Sequence, residues 1–200
     1  MNLHQTFLRT TLCIALLLSA SQASAAVILS LLPSQQSAVP GQTVNLALTI
    51  SGLGDHVAPS LGTFDLNFTF ESSKLTFTGY SLSGFLGTVD DVHASDQSLG
   101  ASGSTINLAE LSYLSPAELA TLQPTGFTFA TLSFNVNSLS SYERTWVKFG
   151  TVNALSDQSG NELPIATLNN AVIGNPIPEP PTLLLVGLGL ALLLRNRQRV

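Results

Sequence analysis

Apolar residues occupy every second position through much of this chain. In "TVNLALTIS", Val44, Leu46, Leu48 and Ile50 share one side, and Asn45, Ala47 and Thr49 share the other. In "TFDLNFTF", Phe64, Leu66, Phe68 and Phe70 alternate with Asp65, Asn67 and Thr69. A repeat of two belongs to a pleated strand with one buried face. Further runs of strand character cover residues 27–32, 75–80, 105–108, 127–136, 145–152, 163–167 and 171–173. Turn-forming clusters such as "VPGQ", "ISGLGD" and "DQSGNE" separate them.

The run 127–136 changes phase partway along. Phe127 and Phe129 are apolar at odd positions, whereas Leu132, Phe134 and Val136 are apolar at even ones. One extra residue near Ala130 or Thr131 keeps both sets facing inward, so a β-bulge is predicted there. A single helical piece is expected: Ser115 as cap, Pro116 in the first turn, Glu118 closing a capping box, Leu119 and Leu122 on one face, and a stop before Pro124. About nine short strands with one short helix predict an all-β, two-layer sandwich.

The two ends read differently. Residues 1–25 combine Arg9, an apolar stretch from Leu12 to Leu18, and small residues at Ala23, Ser24 and Ala25. This order is that of a secretory signal peptide cut near Ala25 or Ala26. Residues 26–175 are left as the domain. Beyond it, 176–181 form a proline-rich linker, 182–194 an apolar segment and 195–200 a basic tail. The apolar run from Leu183 to Leu194 covers only ~18 Å of a ~30 Å hydrocarbon core. Pro180 and Pro181 can begin the helix earlier, and Arg195, Arg197 and Arg199 can snorkel and hold the end on the cytoplasmic side. A C-terminal transmembrane helix is therefore expected.

"PEPPTLLLVGLGLALLLRNRQR" resembles the PEP-CTERM sorting signal of Gram-negative bacteria. Pro178, Glu179 and Pro180 match its motif, while Pro181, Asn196 and Gln198 depart from the usual residues. The resemblance implies an exported protein held transiently in the inner membrane, processed by an exosortase, and sent to the cell surface or extracellular matrix.

Composition narrows the partners. Charged residues make up only 10% of the chain, and residues 26–175 carry eleven acids against Lys74, Arg144 and Lys148, a net charge of −8. Such a domain repels phosphate backbones, which excludes nucleic acid as a partner. The one cysteine, Cys13, lies in the signal peptide, leaving the domain without disulfides or cysteine metal sites.

The segments "SAVPGQTVNLALTISGL", "GTFDLNFTFESSKLTFTGYSL", "FATLSFNV" and "VNALSDQSGNELPI" resemble the bacterial cohesin family. The resemblance implies a nine-stranded jelly roll related to carbohydrate-binding sandwiches. Known cohesins bind dockerin modules in polysaccharide-degrading assemblies. The matching positions are core and turn positions, so no dockerin-contacting residue carries over to this chain.

Candidate chemistry is sparse. Asp90, Asp91, His93 and Asp96 fall within "DDVHASDQ". Three carboxylates so close together are calcium-type ligands, but they lack EF-hand order, and a solvated acidic loop is the preferred reading. His56 and His93 are the domain's two histidines, both in loops, and no serine sits in a Gly-x-Ser-x-Gly elbow. Glu110 reads as a surface acid and Glu118 as a helix cap. No catalytic residues and no cofactor are expected. Trp146 falls on the outer face beside Lys148, with Tyr142 four residues earlier, a pair suited to stacking on a sugar unless a loop or second subunit covers the ring. The chain thus reads as an exported, non-enzymatic surface or matrix module with a protein or polysaccharide ligand, the alternative being a carbohydrate-binding module acting on exopolysaccharide.

Overall fold

A computed structural model of the chain describes residues 26–174. Residues 1–25, expected to be a signal peptide, the linker with Pro178, Glu179 and Pro180, the apolar segment 182–194, and Arg195, Arg197 and Arg199 lie outside the described residues. Among the described residues, no helix is long and apolar enough to cross a membrane.

Twelve strands follow in chain order: β1 Val27–Leu32, β2 Gln35–Gln36, β3 Thr43–Ser51, β4 Thr63–Phe70, β5 Leu75–Leu82, β6 Ala94–Asp96, β7 Gly100–Ser102, β8 Thr105–Ser112, β9 Gly126–Val136, β10 Arg144–Ser156, β11 Ile165–Asn169 and β12 Ala171–Gly174. One sheet has the order β11-β1-β3-β9-β5, and the other runs β2-β12-β10-β4-β8-β6 with β7 also paired to β8. Every expected strand is present, with ends shifted by a few residues. The count of nine is corrected by β2, β6 and β7, which are two or three residues long and so too short to display an alternation.

Alternation decides what the sheets enclose. Phe64, Leu66, Phe68 and Phe70 on β4 are buried, as are Val44, Leu46, Leu48 and Ile50 on β3. Aromatic edges tie the layers together: Phe64 meets Phe129 at a centroid distance of 4.8 Å, and Phe70 meets Phe134 at 5.5 Å. The phase change in β9 is a register shift. Leu48 pairs with Ala130 and Thr49 with Thr128, which leaves Phe129 as the extra residue, next to the expected site. Phe129 and Ala130 are consequently neighbours in sequence and both buried.

The helix α1, Pro116–Leu122, starts from Ser115 with the complete capping box to Glu118. Its buried face differs from the expectation. Leu119 is buried, but Leu122 is exposed. The position one turn beyond Leu119 is taken by Gln123, which is fully buried. Its amide accepts from the Leu61 N–H at 2.7 Å and donates to the carbonyls of Leu61 at 2.8 Å and Phe85 at 2.9 Å. A buried loop crossing needs these backbone partners, and leucine could not supply them.

Candidate functional site

β10 presents its first residues to opposite sides. Thr145 and Val147 are buried, whereas Arg144, Trp146 and Lys148 face out. Trp146 is 41% exposed, and the Lys148 ammonium lies 5.3 Å from its ring centroid, a cation–π arrangement. Beside them is a shallow recess of ≈ 160 Å³ lined by Thr69, Phe70, Glu71, Trp146 and Lys148. Tyr142 is 60% exposed at φ 68°, in the turn that leads into β10, and it does not line this recess. Among the described residues no second aromatic ring pairs with Trp146, so Tyr142 and Trp146 share a region but form no joint platform.

A charge cluster borders this face. Lys74 Nζ sits 2.7 Å from Glu71 and 3.1 Å from Glu143, and it donates to the Arg144 carbonyl at 3.4 Å. The hydrogen bond from Lys74 holds the Glu71 carboxyl below its ordinary range. Glu143 is lowered by the Ser140 N–H and then by Lys74. The same carboxylates raise the Lys74 ammonium above its usual value.

The acidic loop is organised by its own donors. Asp90 accepts from the N–H groups of Val92 and His93 at 2.9 and 2.8 Å, and from His93 Nδ1 at 2.7 Å. These bonds, led by the His93 N–H, lower its carboxyl to about 2. Asp91, at φ 59°, accepts from the Ser95 hydroxyl at 3.0 Å. Asp96 accepts from the Tyr80 hydroxyl at 2.7 Å and from the Ser98 N–H at 2.9 Å. Burial pushes the Asp96 carboxyl up, but its hydrogen bonds with Ser98 and Tyr80 outweigh this and lower it. The three carboxylates therefore turn to different partners. Among the described residues no group of three or more His, Cys, Asp or Glu side chains is disposed to hold a metal ion.

Glu110 corrects the sequence reading outright. It is 1% exposed, and neither carboxyl oxygen has a hydrogen-bond partner. Burial, followed by the nearby charge of Asp96, pushes its pKa up to about 8, so the acid is neutral at pH 7. Its neighbours explain the placement. On β8, Glu110 pairs with Phe64 of β4 and Asp96 of β6, and it shares the parity of the buried Ile106 and Leu108. The Tyr80–Asp96 bond joins β5 to β6, the edge strands of the two sheets, beside this acid. The signal was present in "TINLAELS", where alternation carried two residues past Leu108 assigns Glu110 to the inner face. Glu118, in contrast, is the helix cap expected of it.

Residues 176–198 match the PEP-CTERM protein-sorting motif. Among curated proteins, none matches the chain. In structure, the chain is similar to CaCohA2 from Clostridium acetobutylicum, solved in solution, at 19% identity and a TM-score of 0.61, covering 79% of this chain and 95% of that one. It is similar to the sixth cohesin of scaffoldin B from Acetivibrio cellulolyticus, solved with a mutant Cel5 dockerin, at 18% identity and a TM-score of 0.59, covering 76% and 99%. A type II cohesin domain from the cellulosome of Acetivibrio cellulolyticus matches at 16% identity and a TM-score of 0.56, covering 75% and 95%. The fold is cohesin-like, and the chain carries a sorting motif directly after it.

Proposed function

We propose that this chain is an exported binding module, delivered by its PEP-CTERM motif to the cell surface or extracellular matrix of a Gram-negative bacterium, where the cohesin-like sandwich engages another macromolecule. The observation that carries the reading is the junction itself: β12 ends at Gly174 and the sorting motif begins at residue 176. In this reading residues 1–25 direct export, and 182–194 with Arg195, Arg197 and Arg199 hold the precursor in the inner membrane. An exosortase acts near Pro178, Glu179 and Pro180. The domain works by binding rather than by catalysis, since a rigid sandwich with variable loops and faces suits recognition. The solved relative in complex with a dockerin supports a protein partner as the first class to test. A polysaccharide ligand at Trp146 has less support, because Lys148 already lies against the ring and no second ring extends the surface.

Fractionation of an exosortase-bearing host tests the sorting step. The wild-type chain is expected to pass from the membrane to the surface or medium as a shortened form. The Pro178→Ala/Glu179→Ala variant is expected to stay in the membrane at full length. An intact wild-type chain in the cytosol, or identical processing of the two, overturns the reading.

A further inference from the structure

The domain's few cations are gathered in one place. Lys74, Arg144 and Lys148 are the only basic residues among the eleven acids of residues 26–174, and all three surround the start of β10. Lys74 is engaged by Glu71 and Glu143, while Arg144 and Lys148 have no ion pair among the described residues. Tyr142 and Trp146, both exposed, stand between these charges in sequence.

The polypeptide leaves the domain at the same point. In the β10–β12 pair, Arg144 lies opposite Gly174 and Trp146 opposite Val172. Gly174 packs so tightly on the backbone of Glu143 and Arg144 that a side chain there would collide with it. From Gly174 only the eight residues Asn175 to Thr182 precede the apolar run that begins at Leu183. Fully extended, they span at most ~29 Å.

We infer that the face formed by Arg144, Trp146 and Lys148, with Tyr142 in the turn that leads into it, rests on a bilayer surface of anionic phospholipid headgroups while the precursor is held by its C-terminal segment. The inference rests on the anchored precursor of the preceding subsection. Tyrosine and tryptophan favour the headgroup layer because their rings are apolar and their polar tips stay wet. Arg144 and Lys148 are drawn to the same layer, Glu71 and Glu143 beside them are held by Lys74, and the acids elsewhere on the domain are repelled by it, which selects one orientation. The short tether keeps the face at a high local concentration, on the order of millimolar, so a weak contact suffices. Cutting the tether removes that concentration, and the same weakness then allows release.

The chain contains one tryptophan, so its fluorescence reports on Trp146 alone. The full chain is reconstituted in vesicles of phosphatidylglycerol with phosphatidylcholine, or of phosphatidylcholine alone, using acyl chains brominated near the headgroup. Flotation with the vesicles reads the anchor, and quenching by bromine reads the face. The expected result is strong quenching in the anionic vesicles that weakens in pure phosphatidylcholine and at about 0.5 M salt. The Arg144→Gln/Lys148→Gln variant is expected to float equally but lose most of its quenching, each lost cation lowering the bound-to-free ratio of the face roughly fivefold. A wild-type chain that floats while Trp146 stays unquenched and open to acrylamide overturns the inference and leaves the anchor standing. So does a Trp146 shift that appears only on adding polysaccharide. A chain that fails to float overturns the anchored precursor and this inference together.

Discussion

Two sets of glutamates in this domain reach opposite charge states. Glu71 and Glu143 sit at the surface with Lys74 between them; that ammonium lowers the Glu71 carboxyl, and the Ser140 N–H followed by the same ammonium lowers that of Glu143. Glu110 has no such partner. It points inward from β8, beside Phe64 of β4 and Asp96 of β6, and remains protonated at neutral pH because burial, and then the Asp96 charge, raise its pKa to about 8. One residue type therefore does two jobs. Where water and a cation are at hand it is a surface charge, and where both are missing it becomes a neutral filler of the core.

The sharpest way to break this contrast is to place a permanent charge at the buried position. Glu110→Arg cannot shed its proton, and it would bury a cation beside Phe64, with only the Asp96 carboxylate nearby, which Tyr80 and Ser98 already engage. A loss on the order of 3–5 kcal/mol is expected, read from the midpoint of urea unfolding. A midpoint equal to that of the wild type would show that position 110 opens freely to water.

A gentler change sharpens the contrast through pH. In the unfolded chain Glu110 returns to its ordinary value of 4.5, while in the folded domain it stands at about 8. Between those values the native state keeps a proton that the unfolded state has released. Glu110's contribution is therefore fully present below about 4.5 and is lost as pH rises through about 8. Glu110→Gln cannot titrate. The wild type should lose stability relative to this variant by about 1 kcal/mol per pH unit across that window. Paired melting curves at several pH values check this, and parallel curves for the two proteins would refute the buried neutral acid.

The smallest effect belongs to the exposed cluster. Lys74→Met removes the cation that Glu71 and Glu143 share, and a slight fall in Tm is expected at low salt. High salt should erase most of the difference from the wild type, because exposed ion pairs are screened. A difference that persists at high salt would point to the hydrogen bond from Lys74 to the Arg144 carbonyl, which methionine cannot make.

The contrast between legible and hidden features follows from range. Strands β3 and β4 are written in their own residues, because a period of two needs no partner to be visible. The same holds for the cap at Ser115, where Ser, Pro and Glu meet within four positions. The phase change at Phe129 is equally local. By contrast, β6 and β7 have no internal pattern and exist only because β8 offers them an edge. The inward turn of Gln123, and the exposure of Leu122 beside it, depend on unpaired backbone groups at Leu61 and Phe85, distant in sequence.

Of the candidate sites, the outward placement of Trp146 with Lys148 follows from alternation, since Val147 between them is buried. That Arg144 and Trp146 border the exit of the chain could not be read in advance. It depends on which strand β12 chooses as its neighbour. Likewise the closeness of Lys74 to Arg144 spans seventy positions and arises from sheet assembly.

By itself, then, the amino-acid order determined the alternating faces, the bulge, the helix cap and the sorting motif at residues 176–198, because each is written in residues close along the chain. Only the tertiary structure decided that Glu110 is a neutral buried acid and that the domain's cations gather where the polypeptide leaves it. Desolvation and charge proximity depend on which strands lie side by side, and that is a property of the assembled sheets.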